Sequence, residues 1–145
     1  MTEVMFHLDV DDRLGYACRL LRKACAREGR VVVGGPPATL ARLDALLWEF
    51  DPASFVPHVR LAAGSELPER LAHTPVWLVD DLERAPHHEV LVNLGDEVLP
   101  GFESFDKLVE IVPDDEAHKP AARRRWKVYA ERGYALRTHI ARAAT

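Results

Sequence analysis

The sequence lacks the features that mark membrane, secreted and metal-binding proteins. No apolar run approaches the roughly 20 residues that a helix needs to cross a bilayer. The N-terminal stretch MTEVMFHLDVDD is acidic and strand-like, which is unlike a signal peptide and favours a cytoplasmic protein. HxxxH, HExxH and CxxC spacings are absent, so we expect no metal site and no cofactor.

Cysteine is scarce. The two cysteines, Cys18 and Cys25, fall in one predicted helix. Seven residues of helix separate them by about 10 Å, which is beyond the reach of a disulfide. We therefore expect both to act as small apolar residues.

Charge is unevenly spread along the chain. Residues 119–137 carry seven basic residues against one acidic residue, a net charge of +6. The remaining chain carries 12 basic against 22 acidic residues, a net charge of −10. A protein with this net negative charge is a poor candidate for general binding along nucleic acid, since phosphate binding depends on neutralising a dense line of charge. A local basic surface on such a protein predicts a focused anionic target.

Strand and helix patterns alternate along the chain. Alternating or continuous apolar runs predict strands at 3–10, 30–35, 75–81, 88–95, 107–113 and 134–140. Helical spacing predicts helices at 11–28, 36–50 and 114–133. This order predicts an α/β fold with a mostly parallel sheet and helices on both faces. The length of 145 residues suits a single domain over residues 1–145.

The DVDD stretch after the first strand is the strongest signal for an enzyme. Asp9 and Asp11 bracket one residue at a strand's carboxyl end, where ligands of α/β proteins bind. Haloacid dehalogenase phosphatases place two catalytic aspartates in this way, but they also need a hydroxyl residue where this chain has Arg13. An Asp-based phosphatase-like or nucleotide-processing enzyme is the alternative function. The simpler interpretation is that Asp11 or Asp12 caps the first helix.

The basic segment KPAARRRWKVYAERG carries more information when it is placed on a helix. Lys119, Arg123 and Trp126 fall on one face, which Ala122 and Tyr129 border. Such a face offers an apolar slot flanked by cations, suited to an acidic peptide that ends in an aromatic residue and a carboxylate. The cations would meet the carboxylates and the indole would wall the slot. The spacing leaves open that Trp126 is a core contact and the charges a solvated face.

Three segments resemble the chi subunit family of bacterial DNA polymerase III, an accessory protein of the clamp loader. They are RLDALLWEFDPASFVPH (42–58), FDKLVEIVP (105–113) and KPAARRRWKVYAERGYAL (119–136). The first resembles the family's RLDxxLW helix and SFVPH strand, and the last its KxxARxRYKxYxxxGFxL pattern. The resemblance implies a Rossmann-like parallel sheet with no catalytic site of its own, and no contact with a membrane.

The resemblance also implies a ligand. In the chi family the last helix binds the acidic C-terminal tail of single-stranded DNA-binding protein, so contact with DNA would be indirect. Carried over by position, the peptide site would use Lys119, Arg123, Trp126, Tyr129 and Gly133. Trp126 replaces the family's tyrosine, and Pro120 departs from its pattern.

A second partner follows from the same resemblance. The psi subunit joins chi to the clamp loader in bacteria that have it, through a different surface. The candidate residues for that partner interface are Phe55, Val56, Val112 and Pro113.

Overall fold

All strands of the described chain belong to one parallel sheet. A computed structural model describes residues 1–49 and 55–141. The strands are β1 (Glu3–Val10), β2 (Val31–Gly34), β3 (His58–Leu61), β4 (Val76–Val79), β5 (Val90–Asn93), β6 (Lys107–Pro113) and β7 (Leu136–Ile140). They lie in the order β3-β4-β2-β5-β6-β1-β7, and each neighbouring pair is parallel. The α-helices of the described residues are α1 (Arg13–Ala26), α2 (Pro37–Glu49) and α3 (Lys119–Glu131).

Helices cover both faces of the sheet, as the alternation of elements predicts. The apolar stripes of α1 and α2 pack on one face, with Leu21 and Leu43 fully buried there. Helix α3 packs on the other face through Ala122 and Tyr129. Strands such as VVVG and VWLV are buried along their whole length, because both of their faces are covered. The Rossmann-like α/β prediction is confirmed.

Two predicted boundaries shift by more than two residues. Strand β3 begins only at His58, and residues 55–57 are not in a strand, so the predicted SFVPH strand is wrong over those residues. Helix α3 begins at Lys119 rather than at 114, because residues 114–118 form a turn in which Asp115 accepts hydrogen bonds from His118. Pro120 sits in the first turn of α3, where proline is tolerated. Phe50 and Ser54 lie outside the described residues.

A bulge in β1 changes which face its last residues occupy. His7 pairs with Ile111 and Val10 pairs with Pro113, so Leu8 and Asp9 together oppose a single residue of β6. Asp9 adopts a left-handed backbone with φ 59°, which aspartate tolerates better than most residues. The extra residue brings Asp9 to the face covered by α3, beside Leu8, while Val10 packs into the core beneath α1.

Both cysteines behave as predicted. Cys18 is buried in the core under α1 and Cys25 is partly buried, and both thiols are free. Burial raises the pKa of each thiol, which leaves them mostly protonated and unreactive. No helix within residues 1–49 and 55–141 is long and apolar enough to span a membrane.

Candidate functional site

A pocket of about 440 Å³ opens between α3 and the carboxyl-terminal parts of β1, β6 and β7. Its lining is mostly apolar, with charged side chains at the edge. The lining residues are Phe6, Leu8, Asp9, Val112, Pro113, Lys119, Ala122, Arg123, Trp126 and Thr138. The helical face that the sequence predicts thus lies against a concave apolar surface, which the strands supply.

Trp126 lies between the core and the pocket. Its half-buried ring packs edge-on against Phe6, with 5.1 Å between ring centroids, and so belongs to the margin of the core. The same indole lines the pocket. A flat aromatic wall of this kind suits an apolar or aromatic ligand group.

The two cations at the pocket differ in what surrounds them. Lys119 Nζ lies 2.8 Å from Asp114 Oδ1 and 4.0 Å from Glu116 Oε1. The hydrogen bond that Lys119 donates to Asp114 raises the pKa of Lys119, as do the charges of Asp114, Glu116 and Asp9. Arg123 is exposed, and no ion pair joins it to another residue in the described part of the chain. Arg123 is therefore the cation more readily available to an anionic ligand.

Two residues of the predicted peptide site lie elsewhere. Tyr129 is 0% exposed, and its hydroxyl donates a hydrogen bond to Glu110 Oε2 at 2.5 Å. Gly133 ends α3 with φ 83°, a left-handed conformation that glycine adopts without strain. Neither residue lines the pocket. A ligand on the surface cannot reach the buried Tyr129 side chain. Gly133 is exposed and has a conformational role at the end of α3, and its contact with a peptide stays a prediction.

A buried charge pair beneath α3 was missed by the sequence analysis. Arg125 is 2% exposed and its Nε donates to Glu110 Oε1 at 3.0 Å. Asn93 donates to the other oxygen of Glu110, and Arg125 also donates to the backbone carbonyl of Asp96. Burial raises the pKa of Glu110, which the guanidinium and these hydrogen bonds oppose. Burial and the Glu110 carboxylate also raise the pKa of Tyr129, so its hydroxyl remains a donor.

One signal in the sequence could have revealed this pair. Glu110 interrupts an otherwise apolar strand, KLVEIVP, and a buried acid requires a partner. Arg124 and Lys127, in the same basic segment, face solvent, and Lys127 Nζ lies 4.0 Å from Oε1 of the exposed Glu131.

The predicted partner interface divides between two places. Val112 and Pro113 line the pocket beside α3, rather than a separate surface. Val56 is 1% exposed and belongs to the core under α2. Phe55 remains, since its side chain is 48% exposed. These four residues therefore do not share one surface, and their contact with a partner stays a prediction.

Phe55 forms an aromatic patch with a residue that the sequence analysis did not select. Trp48, at the end of α2, is 63% exposed and its ring centroid lies 5.2 Å from that of Phe55. The His58 ring lies 5.0 Å from Trp48, and its Nε2 is 3.1 Å from a carboxylate oxygen of Asp44. We call Trp48, Phe55 and His58 the aromatic patch. Exposed neighbouring aromatics are enriched at protein interfaces.

The aspartates considered for catalysis have different surroundings. Asp9 lines the apolar pocket and Asp11 is exposed. Arg13 stands where a phosphatase needs a hydroxyl, and its guanidinium donates to the carbonyls of Ile111 and Leu94 and to Asp96. Asp12 occupies the N-cap position of α1 but makes no side-chain capping hydrogen bond. Among the residues that the structure describes, no three His, Cys, Asp or Glu side chains are grouped as metal ligands would be.

The fold and the pocket define a small Rossmann-like α/β protein with an apolar surface pocket edged by cations. Residues 1–137 match the family model described as DNA polymerase III chi subunit, HolC. The chain belongs to this family of replication accessory subunits, as the resemblance predicts.

Individual relatives agree with the family match. DNA polymerase III subunit chi of Pseudomonas aeruginosa is 34% identical over 96% of this chain and 96% of its own length. The Haemophilus influenzae chi subunit is 33% identical over 70% of this chain and 67% of its own. Among solved structures, the C-terminal domain of the DEAD-box protein Dbp5 superposes with a TM-score of 0.59. That match has 9% identity over 94% of this chain and 89% of the other, so it shows the fold alone.

Proposed function

We propose that this chi-family protein is a non-catalytic adaptor, which links the clamp loader to single-stranded DNA-binding protein by holding that protein's acidic C-terminal tail. The observation that carries the proposal is the pocket beside α3. It combines an apolar lining with Trp126 and the exposed cation Arg123, to which the described residues give no ion pair. A peptide end with an aromatic side chain and a free carboxylate matches both features.

Each part of such a tail has a counterpart in the pocket. The terminal aromatic side chain would enter the apolar space above Phe6 and Val112 and beside Trp126. Fully burying a side chain of that size contributes about 2–3 kcal/mol. Its carboxylate would accept charge-assisted hydrogen bonds from Arg123. These contributions predict a modest affinity, which many tails along coated DNA would strengthen through effective concentration.

The proposal is tested by titrating the protein with a fluorescent acidic peptide that ends in phenylalanine. We expect binding about 30-fold tighter than that of the same peptide ending in alanine, because the apolar pocket loses its occupant. Raising the salt concentration from 50 to 300 mM should weaken binding of both peptides, since charge pairing supplies part of the affinity. Equal affinity for the two peptides would contradict the proposed use of the pocket.

We further propose that the aromatic patch binds a second subunit of the polymerase complex, which is psi in bacteria that have it. The supporting observation is the exposure of Trp48 and Phe55 as a contacting pair at the opposite side of the sheet from β7. The patch shares no residue with the pocket, so both partners could be bound together. An adaptor needs two independent surfaces of this kind.

Replacing Trp48 tests the aromatic patch independently of the pocket. Trp48→Ala is expected to weaken binding to the psi subunit, or to the isolated clamp loader where psi is absent, by at least about 30-fold, as for an interface hot spot. Binding of the acidic peptide should stay unchanged. The matched control is Leu46→Ala, which truncates another exposed apolar side chain of α2 outside the patch. If calorimetric titration finds that both variants bind this partner with equal affinity, the aromatic patch is excluded as the binding surface.

A further inference from the structure

Two carboxylates stand beside the cations of the pocket. Asp9 lines the pocket itself, and Asp114 forms the 2.8 Å ion pair with Lys119. With Lys119 and Arg123, these four groups sum to no net charge. The pocket lies beside the basic helix α3, yet the charges of these four groups balance.

The position of Asp9 depends on a specific distortion of the backbone. In a regular strand, the residue after Leu8 would face α1, away from the pocket. The bulge and the left-handed conformation of Asp9 turn its carboxylate to the α3 face instead. A carboxylate is therefore brought to a site whose proposed ligand is acidic, where electrostatics alone would favour its absence.

We propose that Asp9 and Asp114 are specificity-determining residues, which exclude the phosphate backbone of nucleic acid from the basic helix while still admitting an acidic peptide end. The inference rests on the proposed function of the pocket. It explains how a segment with a net charge of +6 could serve a protein that works beside single-stranded DNA without being captured by it.

The two ligand classes respond differently to these carboxylates. A nucleic acid binds through a line of phosphates, each of which needs a cation that is free to replace its counterions. Lys119 is occupied by Asp114, and phosphates passing Arg123 would approach Asp9. A peptide end instead gains most of its energy from the apolar pocket and needs one available cation. The two carboxylates therefore lower the affinity for the peptide less than they lower the affinity for nucleic acid.

The test compares two ligands on one pair of variants. Asp9→Asn with Asp114→Asn removes both charges at constant size, and asparagine tolerates the left-handed backbone at position 9. The matched control, Glu103→Gln with Asp106→Asn, makes the same charge change on exposed residues that precede β6, at the far end of that strand from the pocket. Circular dichroism checks that both variants are folded. Fluorescence anisotropy then measures binding of an oligothymidylate and of the acidic peptide at 50 mM salt.

We expect the Asp9/Asp114 variant to bind the oligonucleotide about tenfold more tightly than wild type, and the control to change by less than about threefold. The peptide should gain less than the oligonucleotide. An oligonucleotide gain no larger than that of the control would overturn the inference. Failure of the wild-type protein to bind the peptide is a separate outcome, which would refute the proposed function instead.

Discussion

Arg123→Ala is expected to weaken binding of the acidic tail peptide by roughly 10- to 100-fold. A hydrogen bond to a charged group contributes about 1.5–3 kcal/mol, and Arg123 is the exposed cation of the pocket to which the described residues give no ion pair. Lys119→Ala should have a smaller effect, because Asp114 already occupies its ammonium group. Fluorescence anisotropy with the labelled peptide measures both losses.

Arg124 offers the control for this measurement. Arg124→Ala removes the same side chain and the same charge one residue further along α3, outside the pocket. We expect a loss of less than about threefold, which reflects only long-range electrostatics screened by salt. If Arg123→Ala and Arg124→Ala weakened binding equally, general attraction to a basic helix would replace the pocket as the explanation.

Glu110→Ala is expected to lower the free energy of unfolding by about 3–5 kcal/mol, which is a large part of the stability of an average domain. The substitution leaves the Arg125 guanidinium buried with no compensating charge, and the Tyr129 hydroxyl and Asn93 amide lose an acceptor. Urea denaturation followed by circular dichroism measures the change. The affinity of the pocket for the acidic peptide should fall as well, because Arg125 and Tyr129 hold α3 against the sheet.

The exposed ion pair between Lys127 and Glu131 serves as the control for the buried one. Glu131→Ala breaks an ion pair on the solvent side of the same helix, and we expect it to cost less than about 0.5 kcal/mol. Replacing the buried pair as a whole, with Glu110→Gln and Arg125→Met, should recover part of the stability lost in Glu110→Ala. A loss below 1 kcal/mol for Glu110→Ala would show that the buried pair is not needed to hold α3.

The sequence alone determined the parts of this protein that depend on local periodicity. Alternation of apolar runs and helical stripes predicts the parallel α/β fold. The spacing of Lys119, Arg123 and Trp126 predicts one face of a helix, since residues three, four and seven apart share a face whatever the rest of the fold does. The motif resemblance rests on the same local patterns, and the family match confirms it.

The tertiary structure alone decided which side chains complete each surface. Val112 and Pro113 reach the pocket because β6 lies beneath α3. Trp48, at the end of α2, contacts Phe55, which precedes β3. The burial of Arg125 depends on its contact with Glu110, 15 residues away in another element. These juxtapositions are set by packing between separate elements, which the local periodicity of each element does not encode.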